Sequence, residues 1–200
     1  MFVSLEGIDG SGKSTQARLL AGALRGAGRE VVLTREPGGA PGAEAIRRLV
    51  LTGEPGRWSA ETEALLFTAA RRDHLEATIR PALARGAAVV SDRFADSTRV
   101  YQGATRGDLR GLVDALHAAA IGVEPDVTLV IDVDPSVALA RGLARGGDET
   151  RFERFGLAFQ ERARAGFVAL AASAPGRVRL VDGSGAPETV HARVLAALPR

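Results

Sequence analysis

The chain has no cysteine and no asparagine, and only one lysine, one tyrosine, one tryptophan and one methionine. Without cysteine there are no disulfides and no thiolate metal site, which fits a reducing compartment. Without asparagine the Asn-Lys-x-Asp motif that guanine-binding switches use for their base cannot be written, and the one lysine is placed elsewhere. No apolar run approaches ~18 residues, and the N-terminal stretch lacks the charged-then-apolar layout of a signal peptide. A soluble, cytoplasmic protein is expected. Charge of either sign is nearly balanced, at 26 Lys+Arg against 24 Asp+Glu. The pI of about 9.8 therefore reflects how little titrates between pH 7 and the arginine range. Cations alternate with acids instead of clustering, so no nucleic-acid face is expected. Two hundred residues, 46% of them hydrophobic, suit one domain with its own core, residues 1–200.

What is present begins at the first strand. Phe2–Glu6 is a short extended run, and Gly7-Ile8-Asp9-Gly10-Ser11-Gly12-Lys13-Ser14 fills every slot of the phosphate-loop pattern, with Thr15 opening a helix. The glycines let the backbone curl so that successive amides face phosphate oxygens. The helix adds the partial positive charge of its N-terminus. Lys13 reaches the β- and γ-phosphates and the Ser14 hydroxyl serves Mg²⁺. In a chain that uses arginine everywhere else, the sole lysine stands in this loop, where a compact ammonium differs from a planar guanidinium.

The remaining pattern predicts helix 15–27, strand 29–34, helix 42–51, a long helix 60–85 kinked at Pro81, and strand 87–91. Helix 109–121, strand 127–131, helix 135–144, helix 153–172, strand 177–181 and helix 187–198 follow. Strand, helix, strand within about 30 residues is a βαβ unit. The expected fold is therefore α/β, a three-layer sandwich with a five-stranded parallel sheet flanked by helices. Residues 142–153, rich in glycine and charge, form a short lid. Loops after the strands should hold ligands. Arg35-Glu36-Pro37-Gly38-Gly39 reads either as a plain turn or as a phosphate or Mg²⁺ contact. Asp92-Arg93 reads either as a Mg²⁺-water and phosphate pair or as a surface ion pair. Phe67 and Arg71 share one helix face, and helix statistics alone make them core and solvated charge. His74, His117 and His191 form no cluster and are read as surface or packing residues.

Two hundred residues leave little room for a motor ATPase, so a small kinase is the expected class, with a charged flap keeping water from the transferable phosphoryl group. The motifs resemble the thymidylate kinase family over essentially the whole chain. They are Gly7–Thr15, Thr34–Gly39, Leu66–Arg71, Asp92-Arg93-Phe94 with Ser97-Thr98 and Tyr101-Gln102-Gly103, and Asp132-Val133-Asp134-Pro135.

The resemblance implies transfer of the γ-phosphoryl group of ATP to dTMP, with Mg²⁺, in a homodimer. It implies that Phe67 stacks on thymine, Arg71 bonds a thymine carbonyl, and Thr98 and Gln102 read the remaining edge. Tyr101 would exclude a ribose 2′-hydroxyl, Asp9 would hold the 3′-hydroxyl, and Arg93 with Arg35 would clamp the acceptor phosphate. Glu36 and Asp92 would lie near Mg²⁺ or its waters. Some members carry an arginine inside the phosphate loop; Gly10 stands there here, so the chain resembles the bacterial type with lid arginines, Arg145 and Arg151. Arg141 would contact adenine or phosphate, and Asp182 would border the adenine. Rival readings are another nucleoside-monophosphate kinase and a non-catalytic nucleotide-binding regulator.

Overall fold

The computed structural model describes residues 1–103, 107–145, 152 and 155–199. Five strands form one parallel sheet in the order β2-β3-β1-β4-β5. They are β1 (Phe2–Glu6), β2 (Val31–Arg35), β3 (Ala88–Asp92), β4 (Val127–Asp132) and β5 (Val178–Asp182). The helices are α1 (Lys13–Gly26), α2 (Pro41–Leu51), α3 (Ala60–His74), α4 (Arg80–Ala84), α5 (Ala95–Tyr101), α6 (Arg110–Ala120), α7 (Pro135–Arg145), α8 (Leu157–Ser173) and α9 (Pro187–Ala196).

β1 is buried throughout, as a central parallel strand with both faces covered must be. Val3 and Leu5 pack with Leu20 and Ala21 of α1 and with Leu129 and Ile131 of β4. Phe2, out of step by one residue, packs with Val89 and with Leu75, Ile79 and Ala82. This alternation fixes the register Phe2↔Val89 and Val3↔Val127 and sets the ends of β1, β3 and β4 side by side. The chain leaves β1 toward β2 and later leaves β3 toward β4, on opposite sides of β1. That divergence opens a crevice above the strand ends, the usual ligand position in open α/β sheets.

The long helix predicted over 60–85 is interrupted. Residues Leu75–Ile79 widen into a π turn, with the Arg80 amide bonding the Leu75 carbonyl, and α4 resumes around Pro81. Proline lacks the donor that a regular helix needs at that point, so the irregularity takes the form of a widened turn just before it. α8 starts at Leu157, after Gly156 at φ +80°, later than the expected 153. Most of the segment expected as a lid lies outside the described residues, Arg151 included, and so does the side chain of Arg145.

Candidate active site

A cavity of about 1090 Å³ lies over the C-terminal ends of β1, β2 and β3. The phosphate loop forms its floor. Gly12, at φ +95°, caps α1, and the α1 amides begin at Lys13. Gly10, at φ +82°, has no room for a side chain: a Cβ there would stand 1.9 Å from the Ala138 carbonyl oxygen of α7. α7 thus rests on the loop, and Arg141, one turn further along it, lines the cavity. Lys13 is buried, and its Nζ donates to the Ile8 carbonyl at 2.7 Å. Burial and the nearby Arg93 guanidinium bring the Lys13 ammonium down to about 8, against the opposing pull of Asp9 and Asp92. Ser14 donates to the Asp92 carboxylate at the end of β3.

Arg93 follows directly, in a left-handed backbone conformation at φ +76° that is uncommon outside glycine. Its guanidinium donates to Asp9 at 2.5 Å, to Ser97 Oγ at 2.8 Å and to the Gly7 carbonyl at 3.2 Å. It also lies 5.1 Å from the Tyr101 ring centre. The Tyr101 hydroxyl donates to the other Asp9 oxygen at 3.2 Å. Burial alone would raise the Asp9 carboxyl, but Arg93 and Lys13 outweigh it and hold the group below its usual range. Burial and the Asp9 charge push the Tyr101 phenol up, so it stays a donor. Expected as separate contacts to sugar and phosphate, Asp9, Arg93 and Tyr101 form one hydrogen-bonded unit.

Beneath that unit lies Glu6, fully buried in β1. It accepts from the Phe94 amide at 2.7 Å and from Ser97 Oγ at 2.6 Å. Burial raises this carboxyl to about 7 despite the Arg93 charge. Sequence reasoning passed over it, although a carboxylate within a buried central strand is itself a signal.

The opposite wall comes from α3. Phe67 is half-buried and faces the cavity, with Phe152 6.1 Å away, centre to centre. Arg71 is buried, not solvated: Nε donates to Glu36 at 2.7 Å and Nη2 donates to Thr98 Oγ1 at 3.0 Å. Glu36, expected near Mg²⁺ or its waters, has its amide on the Asp92 carbonyl at 2.9 Å while its side chain turns toward α3. Its second oxygen accepts from His74 Nδ1 at 3.0 Å, so both oxygens are committed to holding α3. His74 is fully buried, its Nε2 2.7 Å from Thr34 Oγ1; it packs behind the wall and braces Glu36, without lining the cavity itself. Glu63, Phe67, Arg71 and His74 recur at four, four and three residues, one face of a helix; that spacing was a readable signal for His74 and Glu63.

Arg35 lines the cavity but is half exposed and paired with Glu44 at 3.2 Å. Asp182 is not among the cavity-lining residues; it accepts from the Ser184 amide at 2.9 Å and pairs with Arg193 at 3.1 Å. Among the described residues no three His, Asp or Glu side chains converge as a metal cage. The oxygen pair Ser14 and Asp92 suits a hard cation that takes its other ligands from phosphate and water.

The family model described as thymidylate kinase matches residues 5–194. A thymidylate kinase of Jannaschia sp. (strain CCS1) is 66% identical over 190 residues, covering 95% of this chain and 91% of that protein. One of Ruegeria pomeroyi is 65% identical over 194 residues, covering 97% and 92%. A crystal structure of thymidylate kinase from Ehrlichia chaffeensis superposes with a TM-score of 0.79 at 37% identity, covering 100% of this chain and 98% of that one.

Proposed function

The chain belongs to the thymidylate kinase family, and from that premise we propose how this cavity phosphorylates dTMP with ATP to give dTDP and ADP. The carrying observation is that one cavity joins a phosphate loop, Gly7–Thr15, to a half-buried ring and a buried guanidinium, Phe67 and Arg71. A triphosphate tail lies along the loop amides and Lys13, with Arg141 toward the nucleoside of ATP. The thymine stacks on Phe67 and presents a carbonyl to Arg71, whose orientation is fixed by Glu36 and His74. Thr98 and Gln102 meet the rest of the base edge. Tyr101 closes the space beside the sugar, and Asp9 receives its 3′-hydroxyl.

The acceptor 5′-phosphate lies against Arg93, and one of its oxygens attacks the γ-phosphorus in line. That oxygen is ionised near neutral pH, so no general base is required. Catalysis consists of positioning and charge stabilisation. Lys13 follows the charge as it moves from the γ- to the β-phosphate oxygens, and Arg145 and Arg151 are assigned the same task from the lid. Ser14 and Asp92 would hold Mg²⁺ directly or through its waters. When bound, the ion screens the phosphate charge.

Residues 1–200 act in this reading as one catalytic domain. A second copy pairs with it through α2, α3 and α6, which pack side by side and expose Leu49, Leu65 and Leu112. Light scattering that returned only the monomer mass would remove this pairing. No described helix is long and apolar enough to cross a membrane, and the cytoplasm is the proposed location. The catalytic reading is tested by coupled ADP release across dTMP, AMP, CMP and UMP. We expect turnover with dTMP to dominate and to fall when Phe67 is replaced by Ala. Equal turnover with AMP would favour another monophosphate kinase, and no turnover with any acceptor would favour a regulator.

A further inference from the structure

Behind the proposed base site lies a buried carboxylate to which no role has been given. Glu63, on α3 one turn before Phe67, is fully buried. It accepts from Gln102 Nε2 at 2.9 Å, and Gln102, on the neighbouring α5–loop junction, lines the cavity. An ionised carboxylate only accepts hydrogen bonds, so the carboxamide end that meets it must be the nitrogen. Glutamine alone carries no such direction, since its two ends are nearly the same size. Beside a carboxylate the ambiguity disappears.

We propose that Glu63 is a specificity-determining positioning residue: by capturing the Gln102 nitrogen it presents the Gln102 carboxamide oxygen to the base, selecting pyrimidines whose N3 carries a proton. The inference rests on the reading of Phe67 and Arg71 as the thymine site, and deepens it. Thymine offers a carbonyl at position 4 and an N–H at position 3. Arg71 supplies a donor for the first. Its Nη2 already bonds Thr98 Oγ1 at 3.0 Å, which ties the donor side of the site to the same short helix that Gln102 caps. The Gln102 oxygen supplies the acceptor for the second. Cytosine reverses both groups, with an amine at position 4 and a bare nitrogen at position 3. It would therefore meet donor against donor at Arg71 and acceptor against acceptor at Gln102. Thymine and uracil look alike along this edge, so Glu63 contributes nothing to telling them apart.

The test compares dTMP with dCMP as acceptors, using kcat/KM for each. Glu63→Gln keeps the shape of the side chain but allows either end of the Gln102 amide to face it, because an amide both donates and accepts. The dTMP-to-dCMP ratio should fall about 10-fold, one mismatched contact out of two, with KM for ATP unchanged. Glu63→Asp keeps an acceptor-only group and should hold the ratio near its original value. Gln102→Leu removes the oriented oxygen and should lower the ratio without Glu63 being touched. An unchanged ratio in Glu63→Gln, in a protein that still binds ATP, overturns the inference. Should Glu63→Gln fail to fold, the other two variants decide: loss of the ratio in Glu63→Asp, or its retention in Gln102→Leu, overturns it equally. Arg71→Lys separates this failure from that of the underlying site. If that variant handles dTMP normally, the thymine site itself is misplaced.

Discussion

Glu6 offers a measurement in which the magnitude follows from the structure. The carboxyl is fully buried, and burial raises it from about 4.5 to about 7. The folded protein therefore binds more protons than the unfolded chain between those values. The stabilising contribution is complete below the unfolded pKa and disappears as pH rises through about 7. Integrated from about pH 5.5 to about pH 8.5, this is worth about 2 kcal/mol of folding stability. Glu6→Gln keeps an oxygen for the Phe94 amide and a nitrogen for Ser97 Oγ but cannot titrate. Urea unfolding of both proteins at the two pH values isolates the effect, since groups common to both cancel. The lead of the native protein over the variant should shrink by about 2 kcal/mol between the lower and the higher pH, or about 1 M in urea midpoint. Parallel pH dependences would show that Glu6 keeps one protonation state throughout, and the account of its burial would be wrong.

Lys13→Ala should lower kcat at least about 100-fold, by loss of a donor that follows the moving charge, with the circular-dichroism spectrum retained; near-normal turnover would refute its role. Glu36→Gln should raise KM for dTMP about 10-fold by weakening a charge-assisted contact to Arg71, with KM for ATP unaffected. A parallel rise in both constants would return Glu36 to the metal side. Gly10→Ala should weaken ATP binding and lower the melting temperature, because the new methyl meets the Ala138 carbonyl oxygen and the backbone there has φ +82°. Unchanged calorimetric affinity for ATP would contradict the close approach of α7.

The five strands and most helices were legible because local periodicity carries them, and the phosphate loop because its spacing is a backbone requirement; α5, polar along Ala95–Tyr101, was not. The errors are non-local. β2 starts at Val31 instead of 29 because its ladder with β3 begins at the Val31↔Ala88 pair. β3 and β5 run one residue further, to Asp92 and Asp182, where Asp92 meets Leu5 and Arg35 and Asp182 meets Asp132. The same limit applies to the site. That Arg71 is buried could not be read from α3 alone, since its partners come from β2's loop and α5. Glu6 and Glu63 carried a signal of burial or spacing, but their partners come from elements far away in the chain, so the pattern alone gave them no role. Glu36 is a further case: its place after a strand was legible, its two partners on α3 were not.

The seat of α7 on the loop has a consequence for how charge can be supplied during transfer. At Gly10 the volume that a side chain would fill is already taken by the Ala138 carbonyl. In this architecture a cationic side chain at that loop position and a docked α7 compete for the same few cubic ångströms. On the proposed assignment of Arg145 and Arg151, the guanidinium groups that neutralise the migrating phosphoryl come instead from the far end of α7 and beyond. Grafting an arginine into the loop would require lifting that helix, and with it the very segment that the graft was meant to replace.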